Sequence, residues 1–163
     1  MTTGYESIAD RRDIPARVSR LGVRTVILDV EPLVAYWDSS PAELDAGIAT
    51  MIGAMAAIGG LRALCFATNS DRSPSAPVPA PPGLAVRYLA SARKPLRVAP
   101  YQDLPRPGVV VGDQIATDGI LARRIGYSFL HLRLPPEQMP AGPRLLAGCG
   151  EALRPLLFGR SRR

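Results

Sequence analysis

Five apolar runs punctuate the chain: "VRTVILDV" at 23 to 30, "LRALCFAT" at 61 to 68, "LAVRYLA" at 84 to 90, "GVVVGD" at 108 to 113 and "YSFLHLRL" at 127 to 134. Several lack the apolar–polar alternation of a half-exposed strand. Continuous runs of this length suit strands covered on both faces of a parallel sheet. Between the first two, Leu44, Ile48, Met51, Ile52 and Met55 recur at helical spacing. Ser40, Pro41 and Glu43 precede them in a capping-box pattern and Gly59-Gly60 follows, so both helix ends are marked. Further helices are predicted over 115 to 125 and about 143 to 157, with a break or start near Pro155. Five prolines in "SPSAPVPAPP", 73 to 82, exclude a helix and predict an extended surface loop. Strands alternating with helices predict a doubly wound α/β fold: one domain, with a mainly parallel five-stranded sheet and a core at about 20 to 134.

The 163 residues are enough to bury one self-sufficient core. Hydrophobic residues at 47% and charged residues at 21% are ordinary for a globular chain, and the longest apolar runs fall short of a bilayer span. The first 25 residues mix both signs of charge and lack an apolar signal core, so a soluble, cytoplasmic protein is expected. Cys65 and Cys149 form no C-x-x-C or Cys/His pattern, which leaves no disulfide framework and no zinc site to predict. The formal charge of +6 is concentrated after residue 105, where nine arginines face four acids. No basic module with interleaved aromatics accompanies it, so no nucleic-acid partner is expected. The segment from 143 to 163 reads as a last helix with a basic tail. Its "RPLLFGRSRR" joins Leu156, Leu157 and Phe158 to four arginines, a composition that also suits peripheral contact with an anionic membrane, although a packed helix is the preferred reading.

In an open parallel sheet the binding crevice lies beyond the carboxyl ends of the strands. The polar residues that end the apolar runs are Asp29 and Glu31, Thr68 and Asn69, Lys94, and Asp113 with Asp118; Lys94 is the only lysine. Two carboxylates from different strands can hold Mg²⁺, a hydroxyl and an ammonium can bind phosphoryl oxygens, and one carboxylate can attack phosphorus. The set therefore suggests phosphoryl transfer. Plainer readings stand beside this one: a solvated turn for Asp29-Val30-Glu31, a cap for Thr68-Asn69, a helix cap for Asp118. His131, inside "FLHLRL", reads as a satisfied strand histidine rather than a catalyst, and Trp37 and Asp38 as core and turn.

Taken together, "DVEPLVAYWD" from Asp29 to Asp38, Thr68-Asn69-Ser70, "ARKP" around Lys94, "GDQIATD" from Gly112 to Asp118 and Gly126-Tyr127 resemble, in order, the motifs of the haloacid dehalogenase superfamily. The likeness is to its small capless YqeG-like phosphatases and covers about 20 to 134. It implies that Asp29 is a nucleophile and Mg²⁺ ligand, that Asp113 is a second ligand, and that Glu31 is the general acid/base with its backbone on the metal. It further implies that Thr68, Asn69 and Lys94 bind the substrate phosphate, and that Asp118 orients Lys94 or metal-bound water from behind. The departures lie in the opening motif. Glu31 stands for the family's aspartate, one methylene longer, and Pro32 and Leu33 stand for its asparagine and threonine, removing a turn hydroxyl. No cap insertion is visible, which implies an open site for a large phosphorylated substrate, a lipid phosphate among them, or one completed by a partner. Two functions are expected from this reading: a Mg²⁺-dependent phosphomonoester hydrolase, or a weakly active or inactive module binding Mg²⁺, a phosphorylated ligand or a protein partner.

Overall fold

The computed structural model describes residues 4–159, so the arginines at 160, 162 and 163 of the basic tail lie outside the described residues. The chain forms one all-parallel sheet of six strands: β1 (Tyr5–Ile8), β2 (Thr25–Asp29), β3 (Ala63–Ala67), β4 (Ala85–Leu89), β5 (Gly108–Gly112) and β6 (Ser128–Leu132), in the order β1-β6-β5-β2-β3-β4. Each of the five apolar runs contains one strand. The sixth corrects the expected count of five. β1 pairs with β6 from Tyr5↔Phe129 to Ile8↔Leu132 at the sheet edge. It is only four residues long, partly exposed and carries Glu6, so it lacks the apolar signature of its neighbours. A helix, α1 (Ile14–Leu21), follows it, and the fold therefore begins well before residue 20.

Buried side chains alternate between two faces of the sheet. On one face Val26, Leu28, Leu64, Phe66, Val109 and Val111 meet Ile14 and Val18 of α1 and Leu44, Ile48, Ile52 and Met55 of α2 (Pro41–Ala56). The capping box on α2 forms as its sequence indicates, with Ser40 and Glu43 each accepting from the other's backbone N–H. Such a cap contributes about 1 kcal/mol, whereas each buried Leu, Ile or Met contributes roughly 2, so packing rather than capping holds this helix. Met51 of the predicted stripe is only partly buried.

On the other face Ile27, Cys65, Val110 and Phe129 meet Tyr101, Ile115, Leu121 and Ile125. The predicted helix over 115 to 125 divides into a π-helical turn, Ile115–Gly119, and α3, Ile120–Ile125. α4 spans Ala141–Phe158 and continues through Pro155 instead of breaking there, with one helical turn left to form beyond it. Gly150 lets α4 approach the π turn, since a Cβ there would lie 2.9 Å from the Ile115 Cβ. Phe158 stacks on Phe129 with ring centroids 5.7 Å apart, and Leu157 packs on the same cluster, while Leu156 stays exposed. Two of the three apolar residues read as a possible membrane contact are thus packed against the sheet. The proline-rich stretch from 73 to 82 contains no helix or strand. Among the described residues no helix is long and apolar enough to cross a membrane.

Candidate metal and phosphoryl site

From β2 the chain steps outward to β3 and β4, then returns to β5 on the other side of β2 and continues outward to β6. The direction of winding switches between β2 and β5, where their carboxyl ends diverge and leave a crevice. Asp29 is the last residue of β2 and Asp113 the first after β5. Asp118 comes from the π turn. Its amide and those of Thr117 and Gly119 all donate to the Gln114 carbonyl, a widened turn that swings the Asp118 side chain back over Gly112. Only glycine fits there, because a Cβ on Gly112 would overlap the Asp118 carboxylate. Oxygens of Asp29, Asp113 and Asp118 all lie within 4.8 Å of one another, and all three residues are buried.

Lys94 enters this cluster as its counter-charge. Its Nζ stands 2.7 Å from Asp118 Oδ1 and 2.8 Å from Asp29 Oδ1, and the side chain is 2% exposed. Burial opposes the ammonium, but the Asp118 and Asp29 carboxylates outweigh it and hold its pKa above the ordinary lysine value. Three carboxylates still face one ammonium. Burial, with Asp118 beside it, raises Asp29 well above the usual carboxylate range and pushes Asp113 up to about 7. Both carboxylate oxygens of Asp113 and Oδ2 of Asp118 are buried without a hydrogen-bond partner. Orphaned buried acceptors of this kind call for a partner. Hard oxygen donors converging from two strand ends suit Mg²⁺, so the residues present fit the expected ion.

The loop carrying Lys94 is held against the loop after β3. Thr68 accepts at its carbonyl from the Ala92 amide at 2.8 Å, and Ser70 from the Ser91 amide at 2.7 Å. Asn69 binds the Lys94 backbone at both ends, accepting from its amide at 2.7 Å and donating to its carbonyl at 2.9 Å. These bonds stabilise Ser91 and Arg93 in left-handed backbone (φ 47° and 55°), a conformation that costs about 1–2 kcal/mol for a residue with a Cβ. Asn69 therefore places Lys94, in an arrangement where both ends of its amide are engaged by main chain.

Glu31 lies outside the carboxylate cluster. Its Oε2 accepts from the Thr68 hydroxyl at 2.6 Å, and its Oε1 from the Ser70 hydroxyl and the Arg72 guanidinium, each at 3.2 Å. The expected metal set of Asp29, Asp113 and the Glu31 position thus shows, at the level of carboxylates, Asp29 and Asp113 with Asp118 as the third member. The loop following Glu31 is held by packing and by its own backbone. Val34 and Ala35 donate to the Val30 carbonyl, Leu33, Val34 and Ala35 are buried, and a Cβ on Gly47 of α2 would strike the Val34 carbonyl. Leu33 serves as a core residue, so burial and the bonds to the Val30 carbonyl fix the turn.

The crevice, about 250 Å³, is lined by Asp29, Glu31, Thr68, Asn69, Ser70 and Lys94, by Gln114 and Thr117, which stand in "GDQIATD" without an expected role, and by two residues the sequence did not single out, Arg72 and Leu146 of α4. Trp37, read as a core residue, also lines it. Arg72 follows the β3 strand end by five residues, the one signal that marks it. His131 is a satisfied strand residue, with Nε2–H donating to the Asp113 carbonyl at 3.0 Å and Nδ1 accepting from the Tyr5 hydroxyl at 2.9 Å. No family model, curated protein or solved structure matches the chain.

Proposed function

We propose that the protein is a Mg²⁺-dependent phosphomonoester hydrolase of the haloacid dehalogenase type, acting through an aspartyl-phosphate on Asp29. The observation that carries this reading is the convergence of Asp29, Asp113 and Asp118 within 4.8 Å, with orphaned carboxylate oxygens, at the strand-order switch. Asp29, Asp113 and Asp118 would hold the ion, which when bound neutralises their charge and that of the substrate phosphate. Asp29 attacks phosphorus with one carboxylate oxygen; the bond from phosphorus to the alcohol oxygen breaks, and the alcohol leaves with a proton. Water then attacks the acyl-phosphate and returns Asp29 and inorganic phosphate. Lys94, held by Asp29 and Asp118, and the Thr68 hydroxyl supply positive charge and a donor to the phosphoryl oxygens. Glu31, beside Thr68 and two residues after the nucleophile, is the group we assign to exchange protons with leaving alcohol and incoming water.

A second reading, a module that binds Mg²⁺ or a phosphorylated ligand with little turnover, is favoured by one observation. The Thr68 hydroxyl donates to Glu31, and Glu31 is further engaged by Ser70 and Arg72, so both side chains must release partners before meeting substrate. Phosphate release from p-nitrophenyl phosphate with Mg²⁺ and with chelator separates the two. Mg²⁺-dependent turnover that Asp29→Asn abolishes supports hydrolysis. Absence of turnover, with Mg²⁺ binding retained, replaces it with the second reading.

A further inference from the structure

Arg72 stands where three segments of the site meet. Its guanidinium donates to Glu31 Oε1 at 3.2 Å, to the Tyr36 carbonyl at 2.9 Å and to the Ser39 carbonyl at 2.7 Å. Its own carbonyl accepts from the Tyr88 hydroxyl at 3.0 Å, which ties it to β4. The loop it grips connects β2 to α2 and has two unlike halves. Residues 30 to 35 are buried and bonded back to Val30. Residues 36 to 39 form a turn closed by Ser39 N–H to the Tyr36 carbonyl at 3.1 Å and Tyr36 N–H to the Ser39 hydroxyl at 3.0 Å, and Tyr36 and Asp38 are exposed. Among the described residues, the hydrogen bonds joining this turn to a distant segment both come from Arg72. Trp37 sits within it and lines the crevice, as does Leu146 of α4.

We propose that Arg72 is a positioning residue: it clamps the 36–39 turn so that Trp37 forms a wall of the crevice, and it presents the Glu31 carboxylate beside Thr68. The planar fork of arginine explains the choice of residue. It reaches two carbonyls and a carboxylate at once, whereas a lysine ammonium on its flexible stem can replace only part of that geometry. The second half of the loop needs such a clamp because residues 30 to 35 are fixed by burial, whereas the 36–39 turn is partly exposed and, besides Arg72, meets the Arg11 guanidinium over the Tyr36 ring at 5.2 Å. The clamp stands on the hydrogen bonds alone; its effect on turnover, through Glu31, rests on the phosphatase reading.

Trp37 is the only tryptophan, so intrinsic fluorescence reports this turn without substrate or metal. In Arg72→Ala the emission is expected to shift to longer wavelength and acrylamide quenching to rise, with Arg72→Lys falling between the variant and the wild type. Arg87→Ala, which removes the Asp103 pair on β4, controls for general loosening and leaves the Trp37 signal unchanged. With p-nitrophenyl phosphate and Mg²⁺, Arg72→Ala is expected to lower kcat by about 10- to 100-fold, the effect of a misplacement near 1 Å, while changing KM much less. Should Arg72→Ala fail to fold, Arg72→Gln and Arg72→Lys carry the same comparison. An unchanged Trp37 signal in the Arg72 variants, or an equal change in Arg87→Ala, overturns the clamp. A changed signal with unchanged kcat overturns the positioning of Glu31. If the wild type shows no Mg²⁺-dependent turnover, the phosphatase reading fails and the fluorescence comparison still decides the clamp.

Discussion

Asn69 and Lys94 exchange two hydrogen bonds, the Lys94 amide donating to Asn69 Oδ1 at 2.7 Å and the Asn69 amide to the Lys94 carbonyl at 2.9 Å. This reciprocal pair fixes the backbone from which the ammonium reaches Asp29 and Asp118. Asn69→Ala leaves a main-chain donor and acceptor of a half-buried loop without partners, at a cost of about 1–3 kcal/mol. Turnover should fall further than stability, since Lys94 loses its aim. Asn69→Asp keeps the acceptor and loses the donor, and should be intermediate in both. Thermal melts beside phosphate release decide; a variant that turns over at the wild-type rate removes Asn69 from the site.

Mg²⁺ should stabilise the fold, because it relieves repulsion among three buried carboxylates that one ammonium does not balance. At about 100 times the dissociation constant, binding to the folded state alone adds about 2.7 kcal/mol, or a rise in Tm of roughly 5–10 °C for a chain of this length. Chelator should reverse it. Asp113→Asn should lose the Mg²⁺ response while melting no lower than the wild type in chelator, since it removes one of the opposed charges. A wild type whose melting ignores Mg²⁺ up to millimolar concentration argues against the ion site.

Two glycines predict opposite outcomes for the same substitution. A Cβ on Gly112 overlaps the Asp118 carboxylate, so Gly112→Ala should displace Asp118 from Lys94, destabilise by about 1–3 kcal/mol and lower activity. Gly53 lies exposed in the last turn of α2, where an added Cβ would meet nothing within 4 Å. Gly53→Ala should add about 0.5–1 kcal/mol through helix propensity and leave activity unchanged. Chemical denaturation of the two variants reads the difference directly.

What could be read from the sequence followed from burial. Strands covered on both faces need unbroken apolar runs, so β2, β3, β5 and β6 are legible as such, and Asp29, Thr68 and Asp113 are the polar groups that end them. β4, the half-exposed far edge, is legible through Val86, Tyr88 and Leu89 despite Arg87, and Lys94 follows it. β1 was hidden because an edge strand of four residues has one neighbour and a wet side, and Glu6 answers Arg17 of α1 instead of a core. Arg72 and Leu146 were hidden for another reason. Their roles come from where the loop after β3 folds back on the loop after β2, and from how Gly150 seats α4 on the π turn, contacts that carry no local pattern. The register of Asp118 depended on a π turn, whose extra residue is invisible to a 3.6-residue period.

Glu31 supplies the sharpest division between the two functional readings. Its carboxylate accepts from Thr68, Ser70 and Arg72, so an amide at this position turns an N–H toward at least one donor and no longer exchanges a proton. Glu31→Gln should therefore lower turnover by about 10²- to 10⁴-fold, the usual contribution of a positioned acid or base, while keeping the Mg²⁺-induced rise in Tm, because its side chain stands apart from the three aspartates. Glu31→Asp keeps the charge but is one methylene short of the three donors, so turnover should lie between the wild type and the glutamine variant. The order of rates with p-nitrophenyl phosphate, wild type above aspartate above glutamine, is the expected result. A glutamine variant as fast as the wild type would show that Glu31 holds the loop and moves no proton, and the role of acid/base would have to pass to another group lining the crevice.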